Sequence, residues 1–87
     1  MADELTADEI AAHFSAMDDS VTLINETIAD DSEALEMFGT AAGVKEMVTR
    51  NTDHLEIQKE MAWYKASSKT KTKYTKAITD GKAYVAG

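Results

Sequence analysis

LTADEIAAHFSAM, residues 5–17, decides the fold class. Thr6 followed three residues later by Glu9 is a capping box, in which each side chain satisfies a backbone N–H left unpaired by the first helical turn. Leu5 precedes the cap and Ile10 sits at the fourth helical position, the spacing of a hydrophobic staple. Ile10, Phe14 and Met17 recur at i, i+4 and i+7, which puts one apolar stripe on a helix. Asp8 and Glu9 fall in the first turn, where the helix dipole favours negative charge.

The rest of the chain has the same character. Proline is absent, and the glycines at 39, 43, 81 and 87 punctuate a sequence rich in Ala, Glu, Lys and Met. Asp18-Asp19-Ser20 is expected to end the first helix and cap the next, carried by Val21, Ile24 and Ile28. Asp30-Asp31-Ser32 repeats that punctuation, and Leu35 and Phe38 extend an apolar face to Gly39, so 20–38 reads as one broken helix or two short ones. Thr40 caps the longest expected element, about 41–66, with Val44, Met47, Val48, Asn51 and Leu55 on one stripe and Ile57, Met61 and Tyr64 on a second, rotated one. Lys69 to Tyr74 alternates as an edge strand does. Tyr74, Ala77 and Ile78 instead suit a helix, so the reading is a loop through about Thr70, a helix to Asp80 capped by Gly81, and a short apolar tail over 82–87. The expectation is all-α: a single small helical domain of three to five helices over 1–87, with a flexible N-terminus (1–5) and a C-terminal tail.

Charge is laid out unevenly. The net charge of −7 divides into −11 before Lys45, −1 through the middle and +5 from Lys65 onward. Such a chain neutralises itself by folding back, or pairs head-to-tail with a copy or a partner. The acidic first half is also able to imitate a nucleic-acid backbone, although most acidic small domains are simply solvated. Without cysteine there is no disulfide framework and no thiolate zinc site. The acidic N-terminus has no signal-peptide pattern and no segment is apolar enough to span a bilayer, so a soluble protein made in a cytoplasm is expected.

No catalytic, cofactor or metal site is expected. His13 and His54 lack partners at fixed spacing. Asp30-Asp31-Ser32-Glu33 lacks the register of a calcium loop and reads as helix capping. Trp63 and Tyr64, as neighbours on a helix, point in different directions, so one packs inward and the other serves a partner; both packed beneath the C-terminal segment is the competing reading. The residues expected to bind a partner are Phe14, Trp63, Tyr64, Lys69, Lys71, Lys73, Tyr74, Lys76 and Tyr84. Nucleic acid is disfavoured as that partner, because the lysine stretch has no Arg and the whole chain repels polyanions. An acidic protein face suits it better.

Asn51-Thr52 with His54-Leu55-Glu56-Ile57, and Ala77-Ile78 with Gly81-Lys82-Ala83-Tyr84, resemble segments of small, little-characterised proteins of tailed bacteriophages. The first 45 residues take no part, and the lysine-rich linker replaces a segment that is more acidic in that group. The resemblance implies a phage origin and carries no catalytic residues. What it suggests is a structural protein of the particle, such as a minor capsid, cement or neck component, bound to other virion proteins or to copies of itself. The alternative is an acidic inhibitor that blocks a host nucleic-acid-binding enzyme.

Overall fold

Four helices form in the computed structural model, which describes residues 5–87: α1 (Ala7–Ala29), α2 (Ser32–Phe38), α3 (Ala41–Glu60) and α4 (Ser68–Ala86). No strand occurs among the described residues, so the domain is all-α. The expected flexible N-terminus lies outside the described residues except for Leu5.

Phe14 lies beside Tyr74, Ile24 beside Gly81 and Asp31 beside Tyr84, so α1 and α4 run parallel. Lys59 meets Thr75 and Thr52 meets Gly81, while His54 meets Ser20, so α3 runs antiparallel between them. Each of these three helices packs on the other two, whereas α2 rests chiefly on α3. The result is an elongated bundle with extents of 45 × 24 × 16 Å. Its core is Met17, Val21 and Ile24 from α1, Val44, Val48 and Leu55 from α3, and Tyr74, Ala77 and Ile78 from α4. Burying each large apolar side chain contributes about 1.5–3 kcal/mol.

Capping follows the sequence closely at several ends. Thr6 and Glu9 make both bonds of the capping box, each at 3.2 Å. Gly39 ends α2 at φ 80°, a left-handed conformation in which any side chain is strained. Thr40 accepts from the Gly43 N–H at 3.0 Å to open α3.

Four boundaries differ from the expectation, and at two of them, Asp18-Asp19-Ser20 and Gly81, a long-range contact outweighs local propensity. Asp18-Asp19-Ser20 does not break α1, which continues to Ala29. The propensity penalty there is a few tenths of a kcal/mol per residue. Meanwhile Ser20 is buried and hydrogen-bonded to His54, and Asp18 is bonded by Tyr74 and Lys73. The break falls at Asp30, whose carboxylate accepts from the Ser32 N–H at 3.0 Å and the Ser32 hydroxyl at 2.6 Å, leaving α2 as a separate short helix.

Helix α3 stops at Glu60 instead of running to about residue 66, and Met61 turns to extended backbone. Unwinding frees Trp63 and Tyr64 from the geometry of adjacent helical positions. Helix α4 begins at Ser68, capped by Ser67, so the lysine stretch is helical from its first residue and neither loop nor strand. It ends at Ala86, so residues 82–86 are its last turns and no separate tail exists. Gly81 is therefore an interior helical residue and not a cap. A Cβ there would stand 2.4 Å from Thr52 Oγ1, and its absence lets α4 lie against α3.

Candidate interaction surfaces

The aromatic residues expected to bind a partner converge on one another. Phe14 on α1, Trp63 and Tyr64 in the α3–α4 connection and Tyr74 on α4 form a cluster with ring centroids 5.2–6.3 Å apart. His13 stacks on Trp63 at 4.9 Å. Trp63 and Tyr64 are both half-buried and both pack against the core, which corresponds to the competing reading in which both are packed. Tyr74 is 1% exposed, so it holds the bundle together and has no surface to offer a partner. Tyr84 is half-buried, and its hydroxyl reaches an Asp31 carboxylate oxygen at 3.3 Å.

Tyr74 also carries a polar link between the acidic and basic halves near the core. Its hydroxyl donates to Asp18 Oδ1 at 2.8 Å, and Lys73 Nζ stands 2.6 Å from the same oxygen. Partial burial pushes the Asp18 carboxyl up, but hydrogen bonds from Lys73 and Tyr74 and the Lys73 charge outweigh it and hold the group below its usual 3.8. Burial raises Tyr74, and the bond to Asp18 and the carboxylate's charge raise it further.

The four lysines expected to contact a partner divide into two pairs. Lys73 is tied to Asp18, and Lys76 pairs with Asp80 one turn along α4. Lys69 and Lys71 are exposed and, like neighbouring Lys65, make no ion pair among the described residues. They sit at the start of α4, where the helix dipole disfavours positive charge, so nothing local stabilises them. Near the C-terminal end of α4, Lys82 pairs with Glu56 of α3. The charge asymmetry is thus partly satisfied within the molecule and partly left over.

Ser20 and His54 deserve comparison with a nucleophile and its base, since Ser20 Oγ lies 2.9 Å from His54 Nδ1. Ser20 is only 5% exposed and faces the bundle interior, so no substrate reaches it. The bond instead fastens α1 to α3. Ser20→Ala leaves His54 Nδ1 without this partner and is expected to cost about 1–2 kcal/mol, read as a lower urea midpoint. An unchanged midpoint would show that His54 loses nothing by turning to water.

A second surface, absent from the sequence reading, lies at the other end of the bundle. Leu23, Met37 and Phe38 are 45%, 74% and 43% exposed around a groove between α1, α2 and α3. Glu26, Asp30 and Glu33 also line this groove. Phe38 and Met47, both on apolar faces in the sequence, also line it.

No protein-family model, curated protein or solved structure matches this chain. None of the helices among the described residues is long and apolar enough to cross a membrane.

Proposed function

We propose that the chain is a small non-catalytic structural protein of a tailed-phage particle, acting through protein–protein contacts at its surface. The observation that carries this reading is the exposed group Lys65, Lys69 and Lys71, without ion-pair partners among the described residues, at a turn pinned by the aromatic cluster. A fixed cationic turn on an acidic protein suits an acidic face on a neighbouring virion protein or copy, where complementary charge sets orientation and specificity more than affinity. The resemblance of residues 51–57 and 77–84 to phage proteins supplies the setting, the virion.

Mass spectrometry of purified particles tests the setting: the chain is expected at fixed stoichiometry, and its absence overturns the reading. Light scattering tests the contact. Assembly with itself or with particle proteins should weaken as salt rises. Lys69→Gln with Lys71→Gln should weaken it further and flatten the salt dependence, while Lys76→Gln should do little because Lys76 is already paired. Assembly that is identical in the double variant removes the lysine turn from the explanation.

The alternative, an acidic mimic of nucleic acid, draws on Glu26, Glu33 and Glu36, which pair with no cation among the described residues. Apolar side chains stand among these acids, however, and a phosphate-binding site has no use for them.

A further inference from the structure

The groove walled by α1, α2 and α3 presents apolar side chains where a small bundle has least reason to expose them. Met37 is 74% exposed, and Leu23 and Phe38 are nearly half exposed. With Met47 and Thr27 they border a cavity of about 290 Å³. Two methionines give it adaptable, polarizable walls of the kind that accommodate varied apolar side chains. Around it stand Glu26, Asp30 and Glu33, with Glu36 one turn further along α2. None of these pairs with a cation among the described residues. Hydrogen bonds from Ser32 to Asp30 hold that carboxyl below its usual range, so it stays charged.

We propose that this groove is a docking site for a basic amphipathic helix of a partner protein, with apolar residues at i, i+3 or i+4 and i+7 seated between Leu23, Met37, Phe38 and Met47 and with Lys or Arg meeting the acidic rim. Helical walls and the absence of a sheet edge among the described residues make a helix the matching occupant. The rim fixes the sign of its charge.

A second copy of this chain fits poorly. Among the other exposed apolar residues, Ile57 is flanked on its helix face by Asp53 and Glu60, Met61 directly follows Glu60, and Ile28 has Asp31 three positions on, which would set acid against acid. The chain's basic segment, from Lys65 onward, has no free apolar anchor: 67–73 is Ser, Thr and Lys throughout, and Tyr74, Ala77 and Ile78 are buried in the core. The inference goes beyond the proposed function. Particle composition does not test the groove, and a peptide titration does not test particle membership, so the two fail separately.

The experiment is a methyl NMR titration of the full chain with a synthetic peptide of about four helical turns made only of Leu and Lys, with Leu at helical spacing. The control is the same composition shuffled so that Leu and Lys alternate. The helical peptide is expected to move the Met37 and Met47 methyls saturably, to leave Met61 in place, and to bind less tightly as salt rises. Met37→Lys, at a site exposed enough to leave the fold intact, should weaken binding by about tenfold or more. Equal binding of the shuffled peptide would reduce the effect to charge alone and overturn the proposal. So would unchanged affinity in Met37→Lys, or equal shifts at Met61. Movement of Met37 and Met47 on raising protein concentration without peptide would assign the groove to a second copy, which also overturns it.

Discussion

Tyr74→Ala is expected to destabilise the bundle by about 3–5 kcal/mol, the range for removing a large buried side chain, and to leave a domain of this size close to unfolding at ordinary temperature. Tyr74 stands where α1, α4 and the α3–α4 connection meet. Its ring packs on Phe14 and Tyr64 with centroids 6.3 Å away in each case, and its hydroxyl ties down Asp18. Chemical denaturation followed by circular dichroism checks the loss. A variant that keeps most of its stability would mean that Phe14, Trp63 and Tyr64 close over the gap.

Tyr74→Phe separates ring from hydroxyl. It keeps the packing and loses the bond to Asp18, at a cost of about 1 kcal/mol. The two partners give that cost a pH signature. The folded-state pKa of Tyr74 is raised above 10.0, so its contribution is fully present below about pH 10 and is lost as pH rises above that value. The folded-state pKa of Asp18 is depressed below 3.8, so its contribution is present above about pH 4 and is lost as pH falls through the folded value. Tyr64 and Tyr84 are raised as well, the first by burial and the second by burial and then Asp31, so the alkaline loss becomes shallower in Tyr74→Phe without vanishing. The denaturation midpoint across acid, neutral and alkaline pH reads both limbs. Identical alkaline slopes in the parent and Tyr74→Phe would remove the Tyr74–Asp18 bond from this account.

Gly81→Ala should be the second largest effect, and its sign is opposite to what helix propensity alone dictates. In an exposed helix interior the change gains about 1 kcal/mol. Here the added methyl would meet Thr52 Oγ1 at 2.4 Å, with Ile24 and Val48 close behind. Thr52 is 2% exposed, its hydroxyl already donates to the Val48 carbonyl at 2.8 Å, and a β-branched side chain has few rotamers to move into. Overpacking of this kind costs about 1–3 kcal/mol, so a net loss is expected, roughly 4–8 °C in Tm per kcal/mol for a domain of this size. Thr52→Ala removes the obstructing hydroxyl. In that background Gly81→Ala should become neutral or stabilising, a coupling that a double-mutant cycle measures directly. Additive effects of the two changes would place the strain somewhere other than this contact.

Both residues show how far the sequence could be read. Helices were legible because apolar periodicity and capping chemistry are local. Thr6 with Glu9, Gly39 and Thr40 act through neighbours within a few residues, so their roles survive whatever the rest of the chain does. The same logic misplaced Asp18-Asp19-Ser20 and Gly81, whose propensities are those of breakers and caps. Their partners, His54, Tyr74 and Thr52, lie more than 25 positions away along the chain.

The candidate surfaces divide in the same way. Lys69 and Lys71 are exposed, as a lysine run in a polar stretch suggests. Phe14, Trp63, Tyr64 and Tyr74 were legible as apolar anchors, but the same aromatic ring serves a core or an interface equally well. Only the meeting of α1, the α3–α4 connection and α4 made them a cluster within the domain. The groove at Leu23, Met37, Phe38 and Met47 draws on three different helices, and no single periodic pattern contains it.

The sequence by itself therefore determined the helical class, most of the capped ends and the overall imbalance of charge, because these depend on residues a turn or two apart. Tertiary structure alone decided which breakers yield, which aromatics are spent on the core and which charges remain unpaired. Those outcomes depend on the burial of groups distant in sequence, and burial energies of a kcal/mol or more exceed local preferences of a few tenths.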